Sequence, residues 1–150
     1  MKVRIGKIPS CRIAYMRQVG PYGASNFHLM EKFKCWAKSM NLNNRSIILG
    51  IAQDNPKFVK PEKCRYDVCL VIPDDYHINY DGVSLGSIIG GRYAVFVISH
   101  TAETVQKAWA DIFVELEKQG FRMDETRPSL ERYTDELVSN HYCEICIPVQ

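Results

Sequence analysis

The sequence predicts an α+β domain: a tandem β-β-α-β-β pseudo-repeat forming an antiparallel sheet, with two helices on one face and a central ligand groove. Three observations carry that prediction. Short, β-prone segments bounded by Pro, Gly and Asp clusters recur along the chain. Two longer segments place apolar residues three and four apart, Leu29-Phe33-Trp36-Met40 and Val105-Trp109-Ile112-Phe113-Leu116, as helices lying on a sheet do. The two halves also match each other. A shift of 80 residues sets Arg12 on Arg92, Ala14 on Ala94 and the first helix face on the second; a shift of 77 sets Asp67-Val68-Cys69-Leu70 on Glu144-Ile145-Cys146-Ile147.

Taken in order, residues 2–8 and 11–18 read as strands, with Pro9-Ser10 as the turn between them. Gly20-Pro21-Tyr22-Gly23 stops the second, and a helix starts near Ser25 and ends at Asn41-Leu42-Asn43-Asn44. The apolar run Ile47–Ala52 is a buried strand closed by Asp54-Asn55-Pro56, and Cys64–Ile72 is a fourth strand stopped by Pro73-Asp74-Asp75. After a polar loop through Gly82, Val83–Ile89 and Arg92–Ser99 are strands, with Gly86–Gly91 as a hairpin or strand kink. A second helix runs from Ala102 to Gln119, with Gly120 in the C′ position. Ser129–Thr134 and Tyr142–Val149 are the last strands. No linker separates the halves, about 1–80 and 81–150, so the 150 residues form one domain.

Composition narrows the function classes. The 19 basic and 17 acidic residues leave a net charge of +2, too balanced to point to direct nucleic-acid binding. There is no apolar run of membrane-spanning length and no signal-peptide core, so no membrane partner and a cytoplasmic location are expected. His28, His77, His100 and His141 lack ligand spacing, and no phosphate-binding glycine loop or nucleophile elbow occurs, so neither metal nor cofactor is expected. Cys143 and Cys146 have C-x-x-C spacing. In a strand, however, residues three apart point to opposite faces, which favours reduced thiols over a metal or redox pair.

The chemically suggestive residues are two acids in the final strands, Glu131 and Glu144. A carboxylate in an apolar strand is costly unless paired or solvated. One reading gives them surface positions or partners among Arg92, Arg127 and Arg132. The other makes them the floor of a site. Asp67 falls on Glu144 in the repeat, but Glu131 falls on Ile51, so the second half has introduced an acid that the first lacks. Trp36 reads as core packing, whereas Trp109 is as well suited to a site as to the core.

Several short pieces together resemble a known family. They are Gly20-Pro21-Tyr22, Pro61 with Arg65-Tyr66-Asp67-Val68, Gly90-Gly91-Arg92-Tyr93-Ala94-Val95, Trp109, Arg127-Pro128 with Leu130-Glu131-Arg132-Tyr133, and Glu144–Val149. In order and spacing they resemble the GyrI-like small-molecule-binding domain, the effector-binding domain of AraC- and MerR-type multidrug-responsive transcription regulators. The resemblance implies a central pocket for hydrophobic, often cationic molecules. Its ligand-binding residues would be Glu131, Glu144, Tyr133, Trp109, Phe113, Pro21 and Tyr22. Cys146 stands where the family often has an aromatic, and Tyr133 is placed to compensate. Without a helix-turn-helix segment the chain resembles a stand-alone member.

The favoured expectation is binding, for sensing or sequestration of drugs and toxins. The alternatives are hydrolysis of reactive small molecules in the same pocket by Glu131 or Glu144 with Tyr133 assisting, and interaction with DNA gyrase or a separate regulator.

Overall fold

A computed structural model describes residues 2–42 and 46–150; Asn43 and Asn44, predicted at the end of the first helix, lie outside the described residues. The strands are β1 (Arg4–Ile8), β2 (Cys11–Val19), β3 (Ile47–Ala52), β4 (Arg65–Ile72), β5 (Ser84–Ile88), β6 (Gly91–Ser99), β7 (Leu130–Thr134) and β8 (Tyr142–Pro148). The helices are α1 (Ala24–Ser39), α2 (Ala102–Lys118) and α3 (Asp135–Ser139). All eight strands join one antiparallel sheet in the order β1-β6-β8-β7-β3-β4-β2-β5, curled into a half-barrel.

The pseudo-repeat is visible in that order, as β2-β4-β3 and β6-β8-β7 meet where β3 pairs with β7. The first strand of each half does not pair with its own second strand. Instead β1 lies beside β6 and β5 beside β2, so the halves exchange their edge strands. The two connections must therefore cross in contact. There Gly90 donates to the Ser10 hydroxyl at 2.8 Å, and any side chain at Gly90 would collide with the Ile8 carbonyl oxygen. The glycine-rich segment is thus a crossing point and not a hairpin turn.

Alternation divides each strand between two cores. On the helix-covered face, Phe33 and Trp36 of α1 and Ala108, Ile112 and Leu116 of α2 pack on Val68, Leu70, Phe96, Ile145 and Ile147. Inside the curl, Ile13, Leu49, Ile51, Cys69, Tyr93, Val95, Leu130 and Cys146 form the second cluster. Trp36 is buried against Phe33 and Tyr80, as a core residue. Cys143 belongs to the helix-side core and Cys146 to the inner one, so the two thiols diverge as strand geometry requires.

The cap of α2 is Thr101, whose hydroxyl accepts the Thr104 N–H at 3.1 Å. Thr101→Ala is expected to cost about 1 kcal/mol, read as a lower urea midpoint at unchanged slope. An unpredicted third helix, α3, follows β7 directly, with Thr134 accepting the Leu137 N–H at 3.2 Å. Five residues are too few to show a helical period in sequence. Among the described residues, no helix is long and apolar enough to cross a membrane.

Candidate functional site

The middle of the sheet, at the β3–β7 junction, carries an acid on the helix-covered face. There Glu131 stands directly opposite Gly50 across the ladder and beside Ile145 of β8. It is partly buried. Trp109 of α2 donates its indole N–H to Oε1 at 3.2 Å, and the Tyr133 hydroxyl donates to Oε2. Burial raises the carboxyl pKa above its ordinary value of 4.5, and these two hydrogen bonds only partly oppose that. No arginine or lysine among the described residues forms a hydrogen bond or ion pair with Glu131. Among the described residues the acid is therefore held by neutral donors, with no basic partner to cancel its charge.

Aromatic rings surround it. Tyr133 lies on the same strand face two residues on, with His100 at 5.1 Å from its ring and the Lys34 ammonium of α1 at 6.0 Å. Phe113 flanks Trp109, with ring centroids 6.2 Å apart, and is 40% exposed. The fourth ring is Tyr66 of β4, which the sequence reading did not single out. Its hydroxyl occupies the space left by Gly50, where a Cβ would stand 2.5 Å from it and 3.7 Å from the Glu131 Cβ. The clue was present: a glycine inside an apolar strand marks close approach of another group. Burial and the Glu131 charge both raise the Tyr66 pKa, so its hydroxyl keeps its proton.

Gly50→Ala is accordingly expected to displace Tyr66, lower stability by about 1–3 kcal/mol and weaken any ligand held at Glu131. Parallel melting and binding titrations check this; no change in either would show that the Tyr66 hydroxyl does not need that space.

Tyr22 and Pro21 stand farther back. Tyr22 meets Tyr66 edge-to-face at 6.4 Å, and its hydroxyl donates to the Arg65 carbonyl at 2.8 Å and accepts the Asp54 N–H at 3.1 Å. It braces Tyr66. Pro21 is exposed, and its carbonyl takes the Ser25 hydroxyl at 3.0 Å in the turn that opens α1.

Glu144 requires a correction. The sequence reading paired it with Glu131, but β7 and β8 are registered with Glu144 opposite Arg132 and Ile145 opposite Glu131. Neighbouring residues on a strand face opposite ways, so Glu144 points into the curl. There Arg132 Nε donates to Oε1 at 2.8 Å and Arg4 Nη2 to Oε2 at 3.0 Å. Asp67, its partner in the repeat, does the same work with a two-pronged ion pair to Arg17 at 2.7 and 2.8 Å. The register also places Gly50, not Ile51, as the counterpart of Glu131, since Val68 faces Gly50 where Ile145 faces Glu131.

The comparisons with known proteins match this architecture. The model of the GyrI-like small molecule binding domain matches residues 1–150. The chain belongs to that family. It is 44% identical, over the full length of both chains, to YosT of Bacillus subtilis (strain 168), an SPbeta prophage-derived protein whose name marks it as a candidate transcriptional regulator. It is 29% identical to a DNA gyrase inhibitor of Cronobacter turicensis, covering all of this chain and 98% of that one. Among solved structures, SAV2435 bound to tetraphenylphosphonium superposes with a TM-score of 0.62 at 14% identity, covering all of this chain and 94% of the other. As a member of the GyrI-like family, the chain is a small-molecule-binding domain.

Proposed function

We propose that this GyrI-like chain binds lipophilic organic cations between α1 and α2, for sensing or sequestration, with Glu131 as counter-charge and Tyr133, Tyr66, Trp109 and Phe113 as aromatic walls. One observation carries the reading: a partly buried carboxylate held by two neutral donors, with no basic partner among the described residues. Leaving such a charge unpaired is costly to the fold, and a delocalised cation of low hydration is the ligand that recovers the cost. Each aromatic face adds about 0.5–2 kcal/mol to a cation stacked on it. The tetraphenylphosphonium complex of SAV2435, a distant structural neighbour, agrees with this ligand class. Tyr22 and Pro21 support the walls and do not form them; Glu144 is left out.

The test is titration of tryptophan fluorescence with tetraphenylphosphonium and rhodamine 6G, with Trp36→Phe isolating Trp109. Saturable quenching at micromolar to submillimolar ligand is expected. A flat titration to near-millimolar concentration, with no thermal stabilisation, would sink the reading. The Glu131–Tyr133 contact also suits general acid–base chemistry, the basis of the hydrolytic alternative. Turnover of a strained electrophile, lost in Glu131→Gln while cation binding survives, would establish that instead. Inhibition of DNA gyrase supercoiling that persists in Glu131→Gln would point to a separate interaction surface.

A further inference from the structure

Inside the curl, at the end of the sheet where β7 passes into α3, lies a cavity of about 640 Å³. That is within the ordinary size of small-molecule sites. Its polar pole is Arg132 and Arg4 over Glu144. The Glu144 side chain is 7% exposed and spends each oxygen on one arginine. Arg132, 19% exposed, bonds through Nε alone among the described residues, which leaves both of its terminal nitrogens without a partner. The carboxylate thus fixes the guanidinium while its outer, two-pronged edge stays available. That edge matches a carboxylate in geometry and charge. Ile47, Leu137 and Tyr142 supply an apolar wall, and Glu136 adds a negative charge to the lining.

We propose that this cavity is a second ligand site, taking a small organic carboxylate with an apolar body on Arg132 and Arg4. It is separated by the thickness of the sheet from Glu131 and does not depend on the cation reading. The two faces would then select ligands of opposite charge.

The experiment is calorimetric titration of the full chain with salicylate, with inorganic phosphate run beside it. Saturable salicylate binding is expected, weakened at least about tenfold in Arg132→Gln and several-fold in Arg4→Gln. Tighter binding is expected in Glu136→Gln, and unchanged binding in Glu131→Gln. Arg132→Gln strands a buried acid and can fail to fold, whereas Arg4 is 61% exposed, so Arg4→Gln carries the test. No saturation to about 10 mM, wild-type affinity in Arg4→Gln, weaker binding in Glu136→Gln, or loss in Glu131→Gln would each overturn the proposal. Phosphate binding as tightly as salicylate would overturn the apolar-body assignment.

Discussion

Glu131→Gln is expected to weaken binding of tetraphenylphosphonium by about 10–100-fold, or about 1.4–2.8 kcal/mol. The same substitution is expected to raise the melting temperature by about 2–4 °C, equivalent to about 1 kcal/mol. The two changes have one cause. In the free protein the carboxylate has lost part of its water and gained, among the described residues, only the Trp109 and Tyr133 donors, so its charged form is disfavoured and its pKa lies above 4.5. The cation supplies the missing charge. Glutamine keeps the shape, lifts the desolvation cost and abolishes the attraction.

The pH dependence has a definite sign. A carboxyl whose folded pKa is raised binds its proton more tightly in the native state. Its stabilising contribution is therefore full below 4.5 and is lost as pH rises through the folded value. Wild type and Glu131→Gln should then converge in stability toward acid pH, and cation affinity should fall as pH drops through that raised value. Calorimetric melts and fluorescence titrations between about pH 4 and 8 would read both. Equal affinity in the two proteins at pH 7.5 would remove Glu131 from the site.

Phe96→Ala is expected to cost about 3–5 kcal/mol, the range for deleting a buried aromatic side chain. Phe96 is 0% exposed in β6, in the core cluster with Ala108 and Ile112 of α2 and opposite Ile145 of β8. Against a total stability of about 5–15 kcal/mol, that leaves the fold marginal. Phe113 of α2, 40% exposed beside Trp109, should lose less than about 1 kcal/mol on truncation while weakening the ligand wall. Urea unfolding of the two variants separates packing from recognition. Similar midpoints would contradict this division of the helix.

Much of this was legible in the sequence, for physical reasons. Helix spacing in α1 and α2 and turn residues at strand ends act locally, so the element order and the doubled unit could be read directly. Glu131, Tyr133 and Trp109 were legible as neighbours because one strand period and one family motif tie them together. What was not legible depends on contacts between distant strands. Whether Glu131 and Glu144 share a face is set by the β7–β8 register, and a one-residue slip reverses it. Glu144 therefore looked like half of a pair when it is an ion-pair partner of Arg4 and Arg132. The exchange of β1 and β5 depends on how the sheet curls, which no local pattern records. Tyr66 was missed because its role depends on the absent side chain at Gly50, two strands' worth of information at one point.

That exchange makes the repeat indivisible. Excised at residue 80, the first half would lose β5 from beside β2 and leave its own β1 with nothing to lie against; the second half would lose β1 from beside β6. Each fragment would end in unsatisfied backbone groups along a bare strand, complementary to the other fragment and to itself only by approximation. Two such fragments supplied together could reassemble. Two whole chains could equally trade halves and close as an intertwined dimer with every native strand pair intact. On this topology one chain holds both of the units that complete each other's sheet edges.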